Sequence, residues 1–175
     1  EAEEIEEYAE QTRQHFGLGL GPISSVVRLL ETKGIIVSRY RIEGEKIEAF
    51  SFWSGPRPFI FLSSDKESAA RARFDAAHEL AHLCLHRWVG AEEIDDKARL
   101  KEIEREADHF AGAFLLPRQS FPNEIYSPRA ESFVDLKARW KVSIQWFTAP
   151  KIWGYLMSVK LPTYISRFHT KIGGK

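Results

Sequence analysis

The spacing of apolar residues is helical at the start of this chain, strand-like in the middle and helical again beyond residue 64. Residues 1–16 read as a charged helix that the Gly17–Gly21 stretch and Pro22 bring to an end. From Ile23 to Lys33, Val26, Val27, Leu29 and Leu30 fall at helical spacing, and Gly34 supplies a left-handed stop. The period then shortens. Ile35–Ile42 is rich in β-branched residues, Glu43–Lys46 turns around Gly44, and Ile47–Trp53 resumes with Phe50 and Phe52 in alternation. The Gly55–Pro58 cluster turns the chain into Phe59–Leu62, a short buried strand. Together these segments predict a small three-stranded sheet, antiparallel or mixed.

Helical spacing returns at Ser64-Asp65-Lys66-Glu67, which has the form of a capping box with Ser64 at the N-cap. The pattern runs from there towards Trp88, with one break expected near Ala72, and Gly90 ends it. A second long helix fits Asp96 to Leu116 and stops at Pro117. Residues 117–130, with Pro117, Pro122 and Pro128, read as loop. Glu131–Trp140 and Ser143–Trp153 read as two short helices. The expected fold class is α+β, a small three-stranded sheet packed by helices.

At 175 residues the chain is one domain with at most a short appendage. No apolar run approaches the roughly 20 residues of a membrane span. The first ten residues hold six glutamates where a secretory signal would be basic. A single cysteine, Cys84, excludes an internal disulfide, so a reducing cytoplasm is the expected location. The chain opens without a methionine, which reads as a processed or trimmed piece of something longer. Zero net charge argues against nucleic-acid binding by the whole surface. The balance is uneven, however: from Arg129 to Lys175 nine basic residues stand against two acids, a local net of +7. A solvated face is the plainer account of that stretch, with a weak nucleic-acid contact or an acidic partner as the alternative.

Chemistry enters at His78-Glu79-Leu80-Ala81-His82. Residues four apart on a helix share a face one turn apart, so both imidazoles can reach one ion. Glu79 then leans over the open side of the metal, where a water would lie, as the general base. About one shuffled sequence in fifty would contain this H-E-x-x-H pattern by chance, so its setting matters. It falls within a helical pattern, with Leu80, Ala81, Leu83 and Leu85 available for burial. The competing reading is a buried helix with incidental histidines.

A catalytic zinc takes three protein ligands and keeps one position open. The glycine and third histidine of the extended H-E-x-x-H motif would fall at Leu85 and Trp88, so that extension is absent. His86 continues the row but lies about 12 Å along the axis from His78, so it is expected to support a ligand or to pack at the helix end. The next helix offers Glu104-Arg105-Glu106-Ala107-Asp108. Glu104 and Asp108 share a face with Ala107 and Ala111, small residues that allow close helix packing. Glu106 points about 200° away from Glu104, towards solvent. Glu104 is therefore the expected third ligand of one zinc per chain, and Asp108 the acceptor that fixes the tautomer of a ligand histidine. Ordinary salt bridges to Lys101 or Arg105 are the plainer alternative for both acids. The Phe59–Leu62 strand, or a sheet edge nearby, could align an extended peptide. His109 and Tyr126 are the candidates for stabilising an oxyanion.

With these residues in view, the sequence resembles the ImmA/IrrE family of bacterial and phage metallopeptidases. The resemblance rests on RFDAAHELAHLCLH (Arg73–His86) and EREADHFAGAFLLP (Glu104–Pro117), and more loosely on AFSFWSGPRPFIFLSSD (Ala49–Asp65). It covers roughly residues 22–146. It implies a zincin-like site in which the first Glu of an E-x-x-A-(N/D) segment, here Glu104, is the third zinc ligand. It also implies cleavage of a helix-turn-helix transcriptional repressor, and an N-terminal helix-turn-helix domain in longer relatives. LKARWKVSIQW (Leu136–Trp146) is similar to the segment after the peptidase core, which is helix-turn-helix-like in some relatives. Here Pro150 interrupts the second helix. The expected organisation is a zinc metallopeptidase domain over residues 1–130, opened by a helix and linker over 1–21, and a short helical C-terminal region over 131–175.

The expected function is a zinc-dependent endopeptidase of narrow specificity whose protein substrate is such a repressor. Two other readings use the same residues. One is a non-catalytic zinc-binding regulator that binds DNA or a partner protein, favoured by the basic C-terminal stretch. The other is a metal-dependent hydrolase of a small molecule. Glu79 favours an enzyme, because a purely structural site has no use for a base beside an open position.

Overall fold

The first helix, α1 (Ala2–His15), places Glu3 and Glu4 in its first turn and Arg13 and His15 in its last, which complements the helix dipole at both ends. The computed structural model describes residues 2–40, 49–64, 68–125 and 130–142. The expectations for Glu43–Lys46, Tyr126 and Ser143–Trp153 lie outside them. Helix α2 (Val26–Thr32) begins after Ser25, whose side chain accepts from the Arg28 N–H. Gly34, at φ +85°, ends it in the left-handed region that glycine adopts without strain.

Strands β1 (Ile36–Tyr40), β2 (Ala49–Ser54) and β3 (Arg57–Ser63) form a mixed sheet in the order β1-β3-β2. β3 runs antiparallel to β2 and parallel to β1. Gly55, at φ +58°, makes the tight turn between β2 and β3. Phe59–Leu62 therefore sits in the centre of the sheet with both neighbours in place, and is not the free edge that the sequence suggested. β2 is an edge strand. The pleat sends Ile60 and Leu62 into the core. On the opposite face the aromatic pairs stack, with ring centroids 4.9 Å apart for Phe50 and Phe61 and 5.2 Å for Phe52 and Phe59.

Helix α3 (Ala69–Leu85) runs without a break at Ala72. Ser68 is its N-cap, where the sequence pointed to Ser64. Ser64 belongs to the strand exit instead: its N–H and its hydroxyl both donate to the Tyr40 carbonyl at 2.8 Å. The helix closes at His86, short of Trp88. Gly90 opens a further helix, α4 (Ala91–Asp95), none of whose residues is buried, so no apolar period announced it. Helix α5 (Lys97–Leu115) is capped by Asp96, which accepts from the N–H groups of Ala98 and Arg99. Beyond Pro117 the chain is not all loop, since Phe121–Glu124 forms one 3₁₀ turn before α6 (Ala130–Trp140).

α3 and α5 pack across small residues. Ala76, Ala77, Ala81, Ala107 and Ala111 are all fully buried, which lets the two backbones approach closely. The sheet lies against α3, joined by a hydrogen bond from Trp53 Nε1 to the Leu83 carbonyl at 3.1 Å. α1 packs on another side of α5. There the buried Glu6 meets His109 Nε2 at 3.0 Å and accepts from Arg118 at 2.8 Å. Leu136, Trp140 and Val142 join the same core, with the Trp140 ring edge-on to Phe121. Among the described residues no helix is long and apolar enough to cross a membrane.

Candidate metal centre

His78 and His82 stand one turn apart on α3, each partly buried, with their Nε2 atoms 3.0 Å from one another. Glu104 reaches across from α5: its two oxygens lie 3.3 Å from His78 Nε2 and 3.6 Å from His82 Nε2. One ligand atom from each of these three residues falls within a 4.8 Å cluster, a group that could hold a metal ion. The Glu104 side chain is about half exposed, so the cluster opens on its side. Asp108, one turn further along α5, lies 2.9 Å from His78 Nδ1 and is itself buried.

The electrostatics follow from this crowding. Burial pulls the His78 imidazole down, but its hydrogen bonds to Asp108 and Glu104 and their negative charge outweigh that and raise it to about 9. His82 has no such carboxylate bond, and burial together with the neighbouring His78 charge lowers it to about 4. A shared proton or a cation relieves two ring nitrogens that face each other at hydrogen-bond distance. Glu79 is buried beside them, and its burial raises its carboxyl above the ordinary range. The Ser51 hydrogen bond and the His78 charge oppose that rise, while Glu104 and Asp75 add to it.

Ser51 was not singled out by the sequence. Its hydroxyl donates to Glu79 Oε2 at 2.6 Å and also lies 3.2 Å from the Glu79 carbonyl. The available signal was a polar residue on the inward face of an alternating strand, between Phe50 and Phe52. Two further expectations need correcting. Glu106 does not point to solvent; its carboxylate lies 2.9 Å from His86 Nε2, and its side chain is only 17% exposed. The line of contact between α3 and α5 runs along Ala107 and Ala111, so Glu104 and Glu106 flank it on opposite sides, and opposite does not mean outward. His109 is engaged with Glu6 on α1 and so does not serve as an oxyanion donor at this cluster.

A profile of the Peptidase M78 family, described as the IrrE N-terminal-like domain, matches residues 30–148. The chain belongs to this family. The matched span holds the sheet, α3 and α5, and with them every side chain of the cluster. Metal dependence in the M78 family agrees with the two imidazoles and one carboxylate gathered here. A solved structure of a Mycobacterium tuberculosis transcriptional regulator shares the fold, with a TM-score of 0.55 and 20% identity over 80% of this chain. The match covers 44% of that protein, so this M78 chain spans less than half its length. Comparison with curated proteins finds no match.

Proposed function

We propose that this chain is a zinc-dependent endopeptidase. His78, His82 and Glu104 are its zinc ligands, Glu79 its general base, and Asp108 the acceptor that keeps His78 in its ligating tautomer. The observation that carries this reading is the convergence of three donors from two helices beside a buried carboxylate. The donor set suits zinc. Bonds of about 2.0–2.1 Å at a tetrahedral angle separate two ligating nitrogens by about 3.3 Å, and the two Nε2 atoms stand 3.0 Å apart.

When bound, the zinc acidifies a water and polarises the scissile carbonyl. Glu79 takes the proton of the attacking water and returns it to the departing amine. A carboxyl raised by burial suits both transfers, because it accepts and releases a proton nearer neutrality than an exposed one. Ser51 steadies the acceptor by holding Oε2, which leaves the other oxygen for the water.

A peptide substrate is favoured over a small molecule by the sheet. β2 is an edge strand and carries Ser51, so an extended chain added along that edge would lie beside Glu79. The family resemblance names the substrate class, a helix-turn-helix transcriptional repressor. The test is to incubate zinc-loaded protein with repressors encoded next to it and follow intact masses. Wild type is expected to make a discrete cut, and Glu79→Gln, with equal zinc, none. No cut in any of them by zinc-loaded wild type would favour the alternative, a non-catalytic zinc-binding regulator.

A further inference from the structure

The two site histidines are held in different ways. His78 meets a carboxylate directly, with Nδ1 2.9 Å from Asp108. The far nitrogen of His82 instead faces a third histidine. The Nδ1 atoms of His82 and His86 are 2.9 Å apart, and His86 Nε2 lies 2.9 Å from Glu106 Oε2. Arg99 Nη1 stands 3.7 Å from the other Glu106 oxygen. The His86 side chain is only 6% exposed, so little water competes for these contacts.

Hydrogen bonding allows one proton order along this line if His82 Nε2 is to ligate zinc. A ligating nitrogen needs its lone pair, so the His82 proton must sit on Nδ1. That N–H can donate only to an unprotonated His86 Nδ1, which puts the His86 proton on Nε2. The Nε2–H then donates to Glu106, a carboxylate acceptor. Of the other neutral orders, two leave two protons, or none, between the facing Nδ1 atoms. The reverse order puts a proton on the ligating His82 Nε2 and leaves His86 Nε2 none to donate to Glu106. We infer that His86 and Glu106 are positioning residues for His82, forming a relay that fixes its tautomer and ring orientation as Asp108 does for His78. This inference rests on the zinc reading above. In it, α5 supplies one ligand and, through Asp108 and Glu106, orients the other two.

The experiment measures zinc affinity, by competition with a chromophoric chelator, for wild type, His86→Asn, His86→Phe and Glu106→Ala. An asparagine places an amide oxygen where Nδ1 stood and can still accept from His82. A phenylalanine fills the space and cannot accept. The relay predicts about a 10- to 100-fold loss for His86→Phe, recovery of most of it by His86→Asn, and about a tenfold loss for Glu106→Ala. Nitrogen-15 spectra of the zinc-loaded wild type are expected to show His82 protonated at Nδ1 and His86 at Nε2.

A role in packing alone predicts the reverse order, with His86→Phe tight and His86→Asn weak. That order overturns the relay, as do variants that all bind like wild type. Circular dichroism of the zinc-free proteins identifies any variant that fails to fold, and Glu106→Ala, whose side chain lies at the rim with 17% exposed, then decides alone. Wild type that binds no zinc overturns the ligand set and the relay with it. Tight wild-type binding with indifferent variants overturns the relay only.

Discussion

Between Ser51 and Glu79 a single hydroxyl holds one oxygen of a buried acid, whose carboxyl burial raises above its ordinary range. The 2.6 Å bond fixes one carboxylate oxygen, and burial keeps water from replacing it. A hydrogen bond to a charged group contributes about 1.5–3 kcal/mol. Ser51→Ala is therefore expected to lower kcat by at least about tenfold, with zinc content unchanged; steady-state kinetics beside metal analysis check it. Glu79→Gln is expected to keep its zinc and lose at least about 100-fold in kcat. At this scale the shared face of His78 and His82 was legible from helical spacing alone, while Glu104 was reached through the small alanines beside it on α5 and the family resemblance. Ser51 and the contact of His86 with Glu106 were not legible, since each depends on how a strand or a second helix crosses α3.

Among the elements, α1 and α6 are held by polar anchors that no apolar period reveals. Arg13 is buried, donating to the Phe114 carbonyl at 2.6 Å, the Gly21 carbonyl at 2.7 Å and the Gly19 carbonyl. It thereby satisfies a carbonyl in the last turn of α5 and closes the glycine loop after α1. Arg13→Met leaves those carbonyls without this donor and is expected to cost about 2–3 kcal/mol, measured by urea unfolding. Glu124 accepts from Arg139 at 2.8 Å and from Trp140 Nε1 at 2.8 Å, tying α6 to the 3₁₀ turn. Burial alone would raise its carboxyl, but the bonds from Arg139 and Trp140 outweigh it and hold the group below its ordinary value.

A depressed carboxyl contributes stability above its unfolded pKa and loses it as the pH falls through the folded value. Glu124→Gln is therefore expected to destabilise by about 1–2 kcal/mol at pH 7. The difference should fade once the pH drops below about 4.3, and urea unfolding across that range checks the sign. The strands and long helices were legible because each has a clear period. The N-cap at Ser68 was not, since the Ser64 hydroxyl is drawn to the Tyr40 carbonyl by the parallel pairing of β1 with β3, a contact between distant residues. α4 was hidden for a simpler reason: it buries nothing.

Among the described residues the sheet, α3, α5 and the end of α6 share one hydrophobic core, and the proposed zinc would cross-link α3 and α5 within it. At free zinc about a thousand times its Kd, such a ligand stabilises the fold by about 4 kcal/mol. In a domain of this size that corresponds to about 10 °C in Tm, which removal of the metal by a chelator should reverse. The three-stranded sheet was legible, and its strand order was not, because local alternation carries no information on which strand lies in the middle. The central claim, that His78, His82 and Glu104 bind one zinc, is tested most directly by the zinc content of identically purified wild type, Glu79→Gln and Glu104→Ala. Wild type and Glu79→Gln are expected near one zinc per chain, with Glu104→Ala far below it. Wild type that takes up no zinc at near-micromolar free metal, or Glu104→Ala that keeps a full complement, would contradict the account.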